Sequence, residues 1–294
     1  MAIFKGAAVA IVTPMNPDQT VNYEKLEELI DWQIAEGTDA IVIAGTTGES
    51  STLSMAEHRA VIKFAVEKVN HRVPVIAGTG SNATRTAIQL TCEAEEDGAD
   101  AALIVSPYYN KATQHGLYSH YSMIAAETKL PIILYNVPGR TGCNIMPETV
   151  AKLVKDVPNI VGLKDATGNL SQASKTMKLC DGKLEMYSGE DGLILPLLSI
   201  GGIGVISVLS NIAPKNTHDL VASFLAGDVE RSRQLQLDAL ELVDALFCEV
   251  NPIPVKAALN LMGKNVGGLR APLEEMQPES LARLEKAMKE YGLI

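Results

Sequence analysis

Residues 23–45 read YEKLEELIDWQIAEGTDAIVIAG. Leu26, Leu29, Ile30 and Ile34 recur at the helical period, which predicts an amphipathic helix with one apolar face. Gly37 is placed to end it, because glycine adopts the left-handed C-terminal position without steric cost. DAIVIAG (39–45) follows at once, a run of Ile, Val and Ala without polar alternation. Such a strand is buried on both faces, as in a parallel sheet covered by helices.

The same unit recurs in both directions along the chain. Strand-like runs stand at AAVAIVTP (7–14), VPVIAG (73–78), ADAALIVS (99–106), PIILYN (131–136), IVGLK (160–164), LEMYSG (184–189) and GVIS (204–207), making eight with residues 39–45. Their starts lie 20 to 34 residues apart, close to the roughly 30 residues of one βαβ step. Eight such steps predict an α/β fold of the (β/α)8 TIM-barrel type in preference to an open doubly wound sheet. Beyond about residue 226 the strand pattern stops. GDVERSRQLQLDALELVDALF, NPIPVKAALNLMG and PESLARLEKAMKEYG read as three helices, with no Ser/Gly linker before them. The expected organisation is a barrel over 1–225 that carries the active site and a helical region over 226–294 packed on it.

Composition removes several classes of function. With 25 basic and 35 acidic residues the net charge is −10, and no run of Lys or Arg offers a nucleic-acid or anionic-lipid surface. No apolar stretch approaches the ~18 residues of a membrane span. MAIFKGAAVAIVTP has no small-residue cleavage pattern and reads as a first strand, not a leader. Cys92, Cys143, Cys180 and Cys248 show no CxxC spacing, which suggests reduced thiols and a cytoplasmic location. The five histidines form no zinc pattern, and GGIGVIS lacks the dinucleotide-binding spacing, so neither a metal nor a nucleotide cofactor is expected.

In a TIM barrel the chemistry sits at the C-terminal ends of the strands. Those ends read Thr13-Pro14, GTTGES (45–50), GTGSN (78–82), SPYYN (106–110), YNVPGRTG (135–142), KDATGN (164–169), SGED (188–191) and ISVLSN (206–211). Hydroxyls and glycines dominate, against one lysine, Lys164. Asp165 beside it offers an ordinary ion pair, and lysines often end strands. Burial in a barrel interior has a different consequence: it disfavours the ammonium and brings the amine into a nucleophilic range. Such an amine condenses with a ketone, and the iminium lets the neighbouring carbon lose a proton and attack an aldehyde. Cys143, with no histidine nearby in sequence, reads as packing.

GTTGES, SPYYN, YNVPGRTG and GLKDATGN, in that order and spacing, resemble the dihydrodipicolinate synthase family, within the N-acetylneuraminate lyase superfamily of lysine-dependent pyruvate aldolases. The resemblance runs essentially end to end and includes NPIPVK in the C-terminal region. It implies that Lys164 forms the Schiff base with pyruvate and that Tyr135 stands over it as acid and base. Thr46 would link Tyr135 to Tyr109, which in this family comes from a neighbouring subunit. Thr47 would hold the pyruvate carboxylate, and Arg140 the carboxylate of L-aspartate-4-semialdehyde. Gly189 and Ile206 would line the pocket with backbone. Taken singly, each has an ordinary structural use; together they share one mouth with the lysine.

The resemblance carries two further expectations. A tyrosine supplied in trans makes the working unit at least a symmetric dimer, and the family's usual state is a tetramer. Some members are inhibited by L-lysine at the dimer interface, where the matching positions are Ser50, Ser51, Met55, His58, Asn82, Thr86 and Tyr108. Met55 replaces a histidine and Thr86 a glutamate that receives the ligand's ammonium, so weak or absent inhibition is expected. N-acetylneuraminate lyase and sugar-acid aldolases of the same superfamily share the lysine chemistry, and a non-catalytic barrel that binds a small keto acid as a sensor is the alternative from another class. The pair Thr46-Thr47, Tyr108-Tyr109 and a buried Arg140 guanidinium favour an acidic amino aldehyde over a neutral sugar.

Overall fold

A computed structural model describes residues 2–294. Eight parallel strands close on themselves in sequence order: β1 Gly6–Ala10, β2 Ala40–Ile43, β3 Val75–Gly78, β4 Ala101–Val105, β5 Ile132–Asn136, β6 Ile160–Asp165, β7 Glu185–Ser188 and β8 Gly204–Ser207, with β1 hydrogen-bonded to both β2 and β8. This is the expected TIM barrel. All eight strand-like runs hold a strand, the first shortened at its C-terminal end, where residues 11–14 leave the sheet.

Within each strand the apolar residues divide by parity. Ile132 and Leu134 face the surrounding helices, while Ile133 and Tyr135 join Ala8, Ala10, Val42 and Leu103 inside the barrel. Small alanines leave room in the interior, and Phe4 stacked on Tyr187 at a centroid distance of 4.4 Å fills its lower end. The upper half is left for polar groups.

The helix predicted from residue 23 runs Tyr23–Ala35, capped by the Asn22 side chain, which accepts from the Lys25 N–H. Its buried face differs in one place from the periodic reading. Ile34 is only half-buried, and Gln33 is buried because its amide donates to the Ser210 carbonyl at 2.8 Å and its Oε1 accepts from Thr38. The C-terminal region forms four helices, not three: Val229–Asp238, Leu240–Leu246, Ile253–Leu261 and Pro278–Tyr291. The first predicted helix is broken at Ala239, where Leu242 and Leu246 turn inward against the helix at 278–291. Among the described residues no helix is long and apolar enough to cross a membrane.

Candidate active site

Strand parity places the lysine. On β6, Leu163 faces the helices while Lys164 points inward, and its register partner on β5 is Tyr135, which points inward beside it. Lys164 is 6% exposed, and its Nζ lies 4.3 Å from the Tyr135 ring centroid. It forms no ion pair among the described residues. Asp165, one residue on, points the other way and gives its Oδ1 to the Thr167 N–H and hydroxyl, so the simple pairing of neighbours does not occur.

Burial moves both groups. Desolvation brings the Lys164 amine down to about 8, opposed by the carboxylates of Asp191 and Glu190 and assisted by Arg140. Desolvation likewise pushes the Tyr135 phenol up to about 12, against the pull of Arg140 and Thr46. A fraction of the lysine is therefore a free amine at neutral pH, while the tyrosine keeps its proton. A nucleophile and a proton donor stand side by side in the barrel interior.

The surrounding positions follow from the strand ends. Gly189 follows β7, where a Cβ would approach the Ala166 Cβ at 2.8 Å and the Lys164 Cε at 3.0 Å, so the Ala166 side chain beside the lysine stem leaves room only for glycine. Ile206 is wholly buried on β8 within the barrel interior. Thr46 and Thr47 ride the loop after β2, and Thr46, Thr47, Tyr135 and Lys164 border one small cavity of about 40 Å³. Thr47 is buried and its Oγ1 accepts from the Asn251 amide at 2.9 Å. Thr46, Ser50, Gly80 and Val105 also border a second cavity of about 400 Å³. That larger cavity gathers Ser50, Ser51, Met55, His58, Thr86 and Tyr108, six of the seven positions expected to form an effector site. Asn82 is attached at its edge, its amide donating to the Tyr108 carbonyl. His58 Nε2–H donates to the Gly78 carbonyl at 2.8 Å, and burial lowers the imidazole's pKa.

One residue sits otherwise than the sequence suggests. Arg140 is exposed at the mouth, not buried, because it lies on the short helix Pro138–Thr141 above β5; one guanidinium N–H donates to the Asn251 carbonyl at 3.1 Å. Tyr109, expected to serve a neighbouring subunit's site, is 90% exposed at φ +72.

Sequence reasoning passed over three groups. Asp191, quoted only as part of SGED, is buried with its Oδ2 accepting from the Val208 and Leu209 N–H groups, and it is the strongest influence holding the Lys164 charge. Glu49 and Lys256 form an ion pair at 2.7 Å with both side chains almost wholly buried. Lys256 also donates to the Thr13 carbonyl, and Glu49 Oε2 accepts from the Arg270 N–H. This pair and Asn251 tie the C-terminal region to the β2 loop. The available signal was NPIPVK, whose lysine lies in an otherwise apolar helical stretch.

A sequence model described as the dihydrodipicolinate synthetase family matches residues 3–291. The chain belongs to that family. A 4-hydroxy-tetrahydrodipicolinate synthase of Lachnoclostridium phytofermentans is 60% identical over 294 residues, covering all of both chains. Among solved family structures, the dihydrodipicolinate synthase of Acinetobacter baumannii complexed with pyruvate superposes with a TM-score of 0.96, at 48% identity and 99% coverage of each chain. The enzyme of Cyanidioschyzon merolae with lysine bound gives 0.97, at 40% identity and full coverage of both chains.

Proposed function

We propose that this chain condenses pyruvate with L-aspartate-4-semialdehyde to 4-hydroxy-tetrahydrodipicolinate, in lysine and diaminopimelate biosynthesis, through a Schiff base on Lys164. The observation that carries this reading is the buried, partly neutral Lys164 amine lying against the Tyr135 ring. Family membership supports the two substrates.

The neutral amine adds to the pyruvate C2 carbonyl, and the carbinolamine loses water as Tyr135 donates its proton to the departing oxygen. Thr47 and its neighbouring backbone hold the pyruvate carboxylate. Loss of a C3 proton gives the enamine, whose C3 attacks the aldehyde carbon while the new alkoxide takes a proton. Arg140, exposed at the mouth, is placed to meet the second substrate's carboxylate first. The semialdehyde's amine then adds to the imine carbon, closes the ring and expels the Lys164 amine. Thr46 relays protons from Tyr135 toward Tyr109 of a second subunit, so the working unit is at least a dimer, with a homotetramer as the family's usual form. Gly189 and Ile206 supply pocket backbone. Residues 1–225 carry the reacting groups, residues 226–294 brace the β2 loop and Arg140, and the enzyme works in the cytoplasm.

Pyruvate consumption by the purified protein, with the semialdehyde run beside N-acetylmannosamine and glyceraldehyde, tests the reading. Preference for the semialdehyde and silence of Lys164→Ala are expected. Preference for a sugar aldehyde moves the chain to a sister activity; retained keto-acid binding without turnover in the parent makes it a sensor.

The cavity bordered by Met55, Thr86 and Tyr108 carries the second part of the proposal: L-lysine inhibits this protein weakly or not at all. No carboxylate lines that cavity to receive an ammonium. A charge-assisted contact of this kind is worth about ten- to a hundredfold in affinity, so Thr86→Glu should strengthen lysine inhibition by about that factor. Half-inhibition of the parent at micromolar or low-millimolar lysine would sink the idea.

A further inference from the structure

We infer that Asn251 sets the hydrogen-bond polarity of the pyruvate carboxylate site and joins it to the site of the second carboxylate, as a positioning residue. This rests on the function proposed above. Asn251 is 5% exposed and lies at the entry to the helix Ile253–Leu261, outside the barrel strands. Its side-chain Nδ2 donates to Thr47 Oγ1 at 2.9 Å, and its backbone carbonyl accepts from the Arg140 guanidinium at 3.1 Å. Thr47 and Arg140 come from loops after β2 and β5, and one residue from the far end of the chain touches both.

The direction of the first bond matters. A threonine hydroxyl has one proton and two lone pairs. With a lone pair occupied by the Asn251 N–H, the Thr47 proton is free to point into the site as a donor, which is what an anionic carboxylate needs. Asn251 Oδ1 is buried and has no hydrogen-bond partner among the described residues. The buried Lys256–Glu49 pair ties the same helix to the same loop.

Two substitutions separate polarity from shape. Asn251→Asp keeps the shape, offers acceptors only, turns the Thr47 proton away from the substrate and adds a negative charge near the carboxylate. Asn251→Ala removes volume and leaves Thr47 free to rotate. If the amide acts through polarity, Asn251→Asp raises the pyruvate KM by about ten- to a hundredfold and Asn251→Ala by less. In both, kcat changes little, and borohydride still traps the pyruvate adduct on Lys164 at saturating pyruvate. A merely structural role gives the reverse order, with Ala worse than Asp, accompanied by a lower unfolding midpoint. That order, or a parent-like KM in Asn251→Asp, overturns the inference. Failure of the parent to form any trapped adduct overturns the Schiff-base reading instead, and the inference falls with it.

Discussion

At the scale of single residues, the chemistry depends on placing an amine where its charge is unwelcome. Lys164 has a reference pKa near ~10.4 in an unfolded chain and about 8 in the folded one. The lowered value means that the unfolded chain holds the proton more tightly between these limits. Below pH 8 the folded state therefore carries the cost of a buried ammonium, and that cost disappears as pH rises from about 8 toward ~10.4. Lys164→Met should consequently be more stable than the parent at pH 7, by about 3 kcal/mol at most, with the gap closing across this window in denaturant titrations. The same titration governs reactivity. The pre-steady-state rate of imine formation at low pyruvate should climb about tenfold per pH unit below 8 and level off above it. A flat profile would mean that the amine is already neutral throughout. Lys164 was legible in the sequence because it is the one lysine among the hydroxyls and glycines at the strand ends and stands within GLKDATGN. Asp191 was not, since a carboxylate at a strand end is common, and only its burial and its two backbone donors distinguish it.

At the scale of elements, the eight strands could be counted from sequence because each is short, apolar and spaced by one βα step. The helix break at Ala239 could not. Neither glycine nor proline marks it, the residues on both sides are helix formers, and the turn follows from which way Leu242 and Leu246 find apolar partners. The link between the β2 loop and the helix Ile253–Leu261 likewise joins residues about two hundred positions apart. Glu49 holds a left-handed backbone at φ +55 beside the two threonines, and Lys256 and the Arg270 N–H satisfy its carboxylate. Removing one partner leaves a buried charge uncompensated. Lys256→Met should destabilise the protein by about 3–5 kcal/mol, and adding Glu49→Gln should recover much of that loss. Equal losses in the single and double variants, by chemical denaturation, would show that the pair does not act as a unit.

At the scale of the whole molecule, the surface of one chain presents the tyrosine that is proposed to complete a partner's site. Tyr109 projects at 90% exposure from a loop held by two neighbouring hydrogen bonds, its N–H donating to the Thr141 carbonyl and the Asn110 side-chain amide to the Asn82 carbonyl. An ordered, fully presented tyrosine beside the mouth suits completion of a partner's site. If Tyr109 acts in trans, mixing inactive Lys164→Ala with inactive Tyr109→Phe should restore activity. In each mixed dimer one site keeps its lysine and receives an intact tyrosine, so about one site in four works after random reassembly of equal amounts. No recovery after dissociation and remixing would place the tyrosine's action within its own chain.

Taken by itself, the sequence determined the barrel, the strand that carries Lys164 and the set of hydroxyls at its mouth. Those features are local: period, apolar runs and residue type at a strand end follow from a few neighbouring positions. Tertiary structure supplied the register that sets Tyr135 beside Lys164, and it alone decided that Arg140 is exposed, that Thr47 accepts its hydrogen bond from Asn251, and that Glu49 pairs with Lys256. Register between strands and contacts across two hundred residues arise from closing the sheet and packing the last helices against it. No local pattern encodes which of several polar groups will meet when that happens.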